Sequence, residues 1–514
     1  MIDQKKKKLF VIILLSGVLA FWIAGLEANP VPTLIIADAT GDPASLDPHM
    51  HYNTQLSSML RQIYDTLLER DPDGKLVPGL VESWESIDET TWQFKLRKGV
   101  RFNNGDELTA KDVKFSIERI IDPETKSPQA RDYRTVNRIE VIDKYTVNII
   151  TNGPDPILPG RFVVLGNVLP EEAFKNQGGN EFFKHPIGAG PFKFVRWERG
   201  EEIVLEANES YYRGSPIIQR LMFKFVSGEE KRMEMLLRGD CHIVTNVMPQ
   251  YSLSLSQNRS TRLLKKPNLQ FFVVQINTLN DNFLADKRIR KALNYATDVE
   301  LLIKYIQKGN GRKLATFTMP EEFGYNPTLK PYPFDLEKAR SLLKTAGYSN
   351  GFKIKILVMD HLSALATALR KQWQKVGIMA ELISLPREEA ISRGLIRKEI
   401  AWDIFIGDPT DPLFDSSYQM TIHLDPKHPV CRFHNERMVQ LLSQSNLTLN
   451  KEKRSFLLKK IQEIVYEEVP TVFLYQNVGL YGVRAEVINF VPHSDTMQRL
   501  YKVGLITKKL QTDN

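Results

Sequence analysis

The sequence predicts an α/β fold with more than one lobe. Short apolar runs with a β-strand pattern alternate with amphipathic helical segments along the whole chain. The 514 residues are too many for one simple hydrophobic core, so two or three lobes are expected. The apolar fraction of 42% and the charged fraction of 25% are those of an ordinary globular protein.

The first half of the chain mixes strands and helices. Apolar residues at helical spacing predict a helix over 55–69, whereas the alternation of Trp92, Phe94 and Leu96 predicts a strand. Thr109 is a good N-cap for the next helix, and Asp112 lies in its first turn, where an acidic side chain favours a helix start. Further strands are expected at the start of 33–50 and within 144–152, 188–197, 201–208 and 220–226.

The second half opens with helices. Residues 288–296 place their apolar side chains on one helical face, Asp298 can cap the next helix, and Gly309 follows its end. Other helices are expected over 335–347, 369–378 and 455–469, followed by a strand over 471–477.

Residues 1–28 are typical of an export signal. Four lysines, Lys5 to Lys8, precede the 18 uncharged residues 9–26. The cleavage site is poorly defined, and the apolar run approaches the length of a membrane span, so an uncleaved anchor is the alternative. Either interpretation predicts that the rest of the chain lies outside the cytoplasm.

Motifs of enzymes and metal sites are absent from the sequence. It contains no G-x-S-x-G, H-E-x-x-H, C-x-x-C or P-loop motif. His49 and His51 near Asp47 have spacing that a metal site can use, but a turn explains them better. Cys241 and Cys431 form one disulfide or remain free thiols. We expect no catalytic residue, no metal and no cofactor.

The net charge of +8 does not indicate nucleic-acid binding. Basic residues alternate with acidic ones and form no cluster with interleaved aromatics. Scattered charge of this kind is typical of a solvated surface.

Residues 401–414 hold a short apolar strand followed by a turn with two carboxylates. Burial of an unpaired carboxylate costs several kcal/mol, so Asp408 needs a partner from this chain or from a ligand. Asp408 and Asp411 could also form a glycosidase pair, but nothing else in the sequence supports sugar hydrolysis. For Asp411, we favour a role in forming the turn.

Several blocks, in order, resemble the extracellular solute-binding proteins of family 5, the peptide receptors of bacterial ABC importers. The most diagnostic block is 77–120, in which a W-x-F-x-L-R-x-G-V-x-F strand precedes an Asn-Gly turn and an L-T-A-x-D-V helix. The other matching blocks are 45–71, 187–216, 286–298 and 335–348. The resemblance extends from about Leu34 to about Tyr501.

This resemblance implies a periplasmic-binding-protein-like fold: two lobes with a hinge and a ligand cleft, plus an extra α/β domain. The implied division is 1–28 signal peptide or anchor, 30–57 lobe I, 58–186 extra domain, 187–283 lobe I, 284–479 lobe II and 480–514 lobe I.

The resemblance also implies a ligand site. "GDPTDP" matches a family stretch whose aspartate pairs with a peptide α-ammonium, which assigns that role to Asp408. The backbone of Phe405, Ile406 and Gly407 would pair with the peptide as an added strand. Tyr52, Asn53 and Thr54 lie where the family uses backbone contacts, or form a plain loop.

Two positions depart from the family pattern. His361 stands in a stretch where dipeptide receptors tend to carry an arginine. Arg387 stands near an expected cleft tryptophan and is either a carboxylate partner or an exposed residue at a helix start. These departures leave the length and class of the ligand open.

The function implied is that of a monomeric periplasmic receptor that delivers short peptides to an ABC transporter permease in the inner membrane. The alternatives are a receptor for another small solute, such as a nickel complex, haem or glutathione, and a chaperone-like or adhesion protein.

Overall fold

The computed structural model describes residues 31–279 and 283–506. The predicted signal or anchor, residues 1–28, lies outside the described residues. Within them, none of the helices combines the length and the apolar character needed to cross a membrane.

The strands fall into one large mixed sheet and smaller antiparallel sheets. In chain order they are β1 (Thr33–Asp38), β2 (Leu68–Arg70), β3 (Leu76–Pro78), β4 (Val81–Ser86), β5 (Thr91–Leu96), β6 (Val136–Asp143), β7 (Thr146–Thr151), β8 (Phe192–Glu198), β9 (Glu202–Ala207), β10 (Arg220–Phe225), β11 (Ile243–Val244), β12 (Thr261–Ile276), β13 (Gly311–Lys313), β14 (Phe352–Met359), β15 (Ile378–Leu385), β16 (Ile404–Gly407), β17 (Thr471–Arg484), β18 (Val487–Ile488) and β19 (Gly504–Leu505).

The helices cover the faces and ends of these sheets. In chain order they are α1 (Thr54–Leu60), α2 (Ala110–Ile121), α3 (Leu158–Val164), α4 (Glu171–Asn176), α5 (Glu229–Arg238), α6 (Ser252–Gln257), α7 (Lys287–Tyr295), α8 (Val299–Tyr305), α9 (Leu336–Thr345), α10 (Ser363–Gln374), α11 (Arg387–Glu389), α12 (Ser416–Leu424), α13 (Glu436–Asn446) and α14 (Lys451–Glu468).

The two long strands β12 and β17 join the halves of the large sheet. The sheet order is β15-β14-β16-β12-β17-β11-β1-β10-β9-β8. The half with β14, β15 and β16 is called lobe II here, and the half with β1 and β8–β11 is called lobe I. The β12–β17 register shifts between Pro267 and Phe271, which marks an irregularity where the strands pass from one lobe to the other.

The hydrophobic clusters follow this arrangement. Two clusters fill lobe I, another fills the four-stranded sheet β4-β5-β7-β6, and two fill lobe II. Residues 269–276, which the sequence-based division gave to lobe I, pack mainly in the two lobe II clusters. β12 itself passes between the two halves of the large sheet, within the range that the sequence-based division gives to lobe I.

Local capping explains several helix starts. Thr109 is the N-cap of α2, and its backbone N–H donates to the carboxylate of Asp112 at 2.9 Å. Asp298 caps α8 by accepting from the backbone N–H of Leu301. These N-caps confirm the helix starts expected from the sequence.

The helix expected over 55–69 is wrong beyond Leu60. The backbone carbonyls of Gln62 and Ile63 accept from Phe192 N and Gly190 N at 2.8 and 2.9 Å, instead of continuing a helix. A Cβ at Gly190 would meet the Ile63 carbonyl carbon and oxygen at 2.6 Å, so glycine permits this close backbone approach.

Both cysteines are buried free thiols. Cys241 and Cys431 have no disulfide partner in the described part of the chain. Of the two alternatives left open by the sequence, the structure shows the free form.

Candidate ligand-binding site

A cleft of about 1190 Å³ lies between lobe I and lobe II. It collects residues from opposite ends of the chain, because lobe I supplies the start of α1 and lobe II supplies the loops after β14, β15 and β16. The residues predicted from the sequence that line this cleft are Tyr52, Asn53, Thr54, His361, Arg387 and Asp408.

Three parallel strands position the lobe II side of the cleft. β14 runs parallel to both β15 and β16. His361 follows β14, Arg387 follows β15 and Asp408 follows β16. The carboxyl ends of parallel strands lie at one edge of a sheet, where α/β proteins commonly bind ligands. The topology therefore brings these three side chains together.

Asp408 has three donors from its own chain although only 6% of the residue is exposed. Arg387 Nη1 lies 2.5 Å from Oδ1, and His361 Nε2 lies 3.0 Å from Oδ2. Gln270 Nε2 donates to Oδ2 at 3.0 Å. In this structure the partners of the enclosed carboxylate therefore come from the chain itself.

The turn that carries Asp408 is anchored to β12. Pro409 O accepts from Phe271 N at 3.1 Å, and Asp411 N donates to Leu269 O at 2.9 Å. These backbone bonds on both sides of Thr410 fix the direction in which the turn leaves β16.

Asp408 and His361 stabilise each other's charged forms. Burial would raise the pKa of Asp408, but the hydrogen bond from His361 and the charge of Arg387 outweigh it and hold the pKa below its ordinary 3.8. The hydrogen bond to Asp408 raises the pKa of His361 above its ordinary 6.5, against the opposing effect of burial.

The expected added strand along Phe405 and Ile406 is wrong. Phe405 and Ile406 are paired with Leu357 and Val358 of β14 on one side and with β12 on the other. A strand with two neighbours has no free edge for a peptide. The side chain of Ile406 is 0% exposed in the lobe II core, whereas Phe405 and Gly407 line a second cavity described below.

On the lobe I side, Tyr52, Asn53 and Thr54 form the start of a helix rather than a plain loop. Asn53 Oδ1 accepts from the backbone N–H groups of Gln55 and Leu56 and is the N-cap of α1. The Tyr52 hydroxyl donates to the carboxylate of Asp132 and also lies 2.8 Å from Pro128 O. This side of the cleft is thus tied to the domain built around β4–β7.

A second cavity of about 690 Å³ adjoins Asp408. It shares with the cleft Arg131, Asp132, Arg387, Asp408, Thr410 and Tyr418, so the two cavities meet at the carboxylate. Its lobe II wall is largely apolar and includes Met359, Ile391, Leu395 and Phe405.

Sequence reasoning missed four polar residues of the site. Gln270 contacts Asp408 and also accepts from Asn477 Nδ2 at 3.0 Å. Arg131 and Asp132 hold the ring and the hydroxyl of Tyr52. A signal was present for Gln270, because a glutamine interrupts the apolar run 269–274 of a long strand.

Asp411 lies beneath the site and is 0% exposed. Its carboxylate accepts from the backbone N–H groups of Leu413 and Asp415 at 2.8 and 3.2 Å. Burial raises its pKa to about 6, against a hydrogen bond with Glu322 that lowers it. The side chain acts within the turn, as the sequence predicted, and is not placed to form a glycosidase pair with Asp408.

Of the two histidines weighed as metal ligands, His49 takes other contacts. His49 Nε2 lies 3.0 Å from Asn167 O, and its Nδ1 lies 2.9 Å from Arg119 Nη1. The carboxylate of Asp47 forms an ion pair with Arg119. Within residues 31–279 and 283–506, no group of three or more metal-ligating side chains occurs.

Comparisons with known proteins agree on one protein family. The profile described as "Bacterial extracellular solute-binding proteins, family 5 Middle" matches residues 75–428. The chain is 27% identical over 490 residues to Heme-binding protein A of Haemophilus influenzae, covering 88% of each chain. It is 26% identical over 509 residues to Di/tripeptide-binding protein 1 of Pseudomonas aeruginosa, covering 92% of this chain and 94% of that one.

A solved structure shows the same fold. The periplasmic binding protein DppA of Helicobacter pylori, determined with the peptide STSA, superposes with a TM-score of 0.76 and 26% identity over 92% of this chain and 98% of that one. The predicted fold, two lobes with a ligand cleft and an extra domain, is confirmed. Because the family match covers more than half of the sequence, the chain belongs to family 5 of the bacterial extracellular solute-binding proteins.

Proposed function

We propose that this chain captures short peptides in the central cleft for an ABC importer and that Asp408 binds the peptide α-ammonium. The observation that carries the proposal is a nearly buried carboxylate on the wall of a cleft between two lobes. Members of this family are binding proteins, so no turnover of the ligand is involved.

The internal partners of Asp408 leave room for a ligand. An ionised carboxylate offers about four lone-pair positions, and Arg387, His361 and Gln270 use three of them. An ammonium group can take the remaining position or displace Arg387 or His361, both of which are 44% exposed. A charge-assisted hydrogen bond of this type is stronger than a neutral one.

The size of the site suits a small ligand. Cavities of about 300–1,000 Å³ enclose ligands of drug size, and the cleft and second cavity measure about 1190 and 690 Å³. Relatives whose names state dipeptides or tripeptides support a peptide rather than a larger partner.

Binding would close the lobes about the strands that connect them. β12 and β17 are the long connections between the lobes, and their register is irregular between Pro267 and Phe271. A bend at this irregularity would move lobe I against lobe II as a hinge. The division into lobe I, extra domain and lobe II given above, with the crossing moved into β12, is part of this proposal.

The remaining parts of the proposal concern location and partners. Residues 1–28 would direct export to the periplasm, as a cleaved signal or as an anchor. The monomeric receptor would then pass its ligand to a permease in the inner membrane.

Calorimetric titration with free and N-acetylated forms of one peptide tests the proposal, because acetylation removes the α-ammonium charge. We expect at least a hundredfold weaker binding of the acetylated form. Equal binding of both forms would assign the cleft to another class of solute, such as the haem suggested by the name of one relative. Mass spectrometry of the solute that co-purifies with the protein gives an independent readout.

A further inference from the structure

A π-helix shapes the lobe II wall of the second cavity. Residues Ala390–Ile396 form it directly after α11, the segment that begins with Arg387. Hydrogen bonds of a π-helix join residues five positions apart, so side chains four and five positions apart lie on one face. Ile391, Leu395 and Ile396 have this spacing, and all three line the cavity. The π-helix thus presents one apolar face to the cavity.

The lobe II core fixes the position of this π-helix. Trp402 Nε1 donates to Gly394 O at 3.1 Å, and Arg432 Nη2 donates to Leu395 O at 2.6 Å. A Cβ at Gly394 would collide with the buried side chain of Leu357 on β14, so glycine permits the close packing. Because protein contacts hold the π-helix, its apolar face is formed before a ligand binds.

Two large apolar side chains of the cavity are left uncovered. Ile396 is 50% exposed and Leu447 is 58% exposed, and both line the second cavity. The opposite wall, which belongs to the domain built around β4–β7, includes Pro156 and Ile157. Exposed apolar surface inside a cavity is typical of a site that a ligand covers. A ligand group placed between these walls would be enclosed by apolar side chains from both.

The location of Asp408 determines which part of a peptide reaches these walls. The α-ammonium and the side chain of the first residue of a peptide are attached to the same α-carbon. An ammonium on Asp408 therefore brings this side chain to the place where the cleft and the second cavity meet.

Resting on the proposed function, we propose that the second cavity selects peptides whose first residue has a large apolar side chain, with Ile396 and Leu447 as specificity-determining residues. The remainder of the peptide extends into the cleft. The cavity measures about 690 Å³, which gives room for a leucine or phenylalanine side chain.

The chemistry of the walls sets the size of the preference. Removal of a leucine side chain from water contributes roughly tenfold or more to affinity, whereas a glycine in the same position contributes nothing. A charged side chain would lose part of its hydration against the apolar face of the π-helix and gain no partner there. Large apolar first residues should therefore bind most tightly.

The test is calorimetric titration of the parent protein with Leu-Gly and Gly-Leu, and with Leu-Gly-Gly and Gly-Leu-Gly. Composition, mass and charge are equal within each pair, so the two peptides differ only in the position of leucine. In each pair that binds, we expect the peptide with leucine first to bind at least tenfold more tightly.

The outcomes separate this inference from the proposed function. Equal affinities within a pair, or tighter binding of the peptide with leucine second, would overturn the inference and leave the proposed function intact. If none of the four peptides binds, the proposed function itself is wrong and the inference falls with it.

Variants of the two uncovered side chains test the assignment of the wall. Ile396→Ser and Leu447→Ser should each reduce the preference for leucine in the first position by at least threefold. Ile142→Ser and Leu253→Ser are the matched controls, because these side chains are 52% and 65% exposed and line neither cavity. The controls should keep the preference of the parent, and circular dichroism checks that all four variants are folded.

The peptide with glycine first distinguishes a direct contact from structural damage. Its affinity should stay within threefold of the parent in Ile396→Ser and Leu447→Ser, because glycine makes no contact with the apolar wall. An equal loss for both peptides of a pair, or a preference that survives both substitutions, would contradict the roles given to these residues.

Discussion

Asp408 and Asp411 lie three residues apart in one turn, yet their surroundings are opposite. Asp408 faces the cleft and is surrounded by Arg387, His361 and Gln270. Burial would raise the pKa of Asp408, but His361 and Arg387 hold it below the ordinary value. Asp411 points into the protein beside Glu322, and burial raises its pKa to about 6. One carboxylate is kept charged at the edge of the ligand site, and the other is driven toward its neutral form.

The environment of each carboxylate depends on which strand ends surround it. Asp408 leaves β16 at the carboxyl edge of parallel strands, where cationic side chains from the neighbouring loops converge. Asp411 accepts two backbone N–H groups of its own turn, Leu413 and Asp415, and meets a second carboxyl group. The first arrangement suits an exchangeable ligand partner, and the second suits a permanent structural contact.

The largest expected effect is that of Asp408→Ala on binding. Removal of one partner from an enclosed ion pair costs about 3–5 kcal/mol, so peptide affinity should fall by about a hundredfold or more. Calorimetry measures the affinity, and thermal unfolding without peptide should show a folded protein. Affinity within threefold of the parent would show that Asp408 does not hold the ammonium.

Asp411→Ala should act on stability instead. The substitution leaves the backbone N–H groups of Leu413 and Asp415 without their acceptor, which costs about 1–3 kcal/mol for each buried donor that stays unpaired. We expect a lower urea midpoint of unfolding, and peptide affinity within threefold of the parent once the variant is folded. A hundredfold loss of affinity with unchanged stability would reverse the roles assigned to the two aspartates.

The two aspartates also predict opposite pH dependences of stability. The pKa of Asp411 is raised, so its contribution to the stability of the folded protein is present below pH 3.8. This contribution is lost as the pH rises through about 6. The pKa of Asp408 is lowered, so its contribution to the stability of the folded protein is present above pH 3.8. This contribution is lost as the pH falls through the pKa of Asp408 in the folded state.

Urea unfolding of the parent and of Asp411→Asn between pH 4 and 7 tests the pH dependence of stability predicted for Asp411. The parent should lose stability relative to the variant with rising pH, by at most about 1.4 kcal/mol per pH unit for each proton. A stability difference that is constant with pH would mean that Asp411 titrates near its ordinary pKa.

The smallest expected effect is that of Glu322→Gln. Burial, followed by the charge of Asp411 and a hydrogen bond with it, raises the pKa of Glu322 well above 4.5, which favours the protonated carboxyl group that donates to Asp411. Glutamine keeps a donor for Asp411 and an acceptor for Met319 N, so the unfolding free energy should change by less than about 0.5–1 kcal/mol. A loss of several kcal/mol would mean that Glu322 is ionised in the folded protein.

Much of the local structure was predictable from residue patterns. The strand with Trp92, Phe94 and Leu96 and the N-caps Thr109 and Asp298 follow from side-chain periodicity and from backbone N–H groups that need acceptors. The helix expected over 55–69 failed because its later carbonyls bind strand-forming residues near Gly190, more than 120 positions away. Local propensity carries no information on such a contact.

The candidate site was also predictable only in part from the sequence. The sequence singled out Asp408 as a carboxylate that follows an apolar strand, and Arg387 and His361 as positions at which the chain departs from the family pattern. It did not indicate that the three would contact one another, because that contact requires β14, β15 and β16 to be parallel neighbours. It also gave Phe405 and Ile406 a free strand edge, which β12 and β14 occupy in the structure.

By itself, the sequence determined the α/β class, the family and the carboxylate on which a ligand ammonium is expected, because periodicity, capping and motif spacing are local properties of the chain. The tertiary structure decided which groups surround that carboxylate. Gln270 lies 138 positions from Asp408, His361 lies 47 and Arg387 lies 21. The pairing of strands brings them within 3.0 Å, and charges act through space and not along the chain.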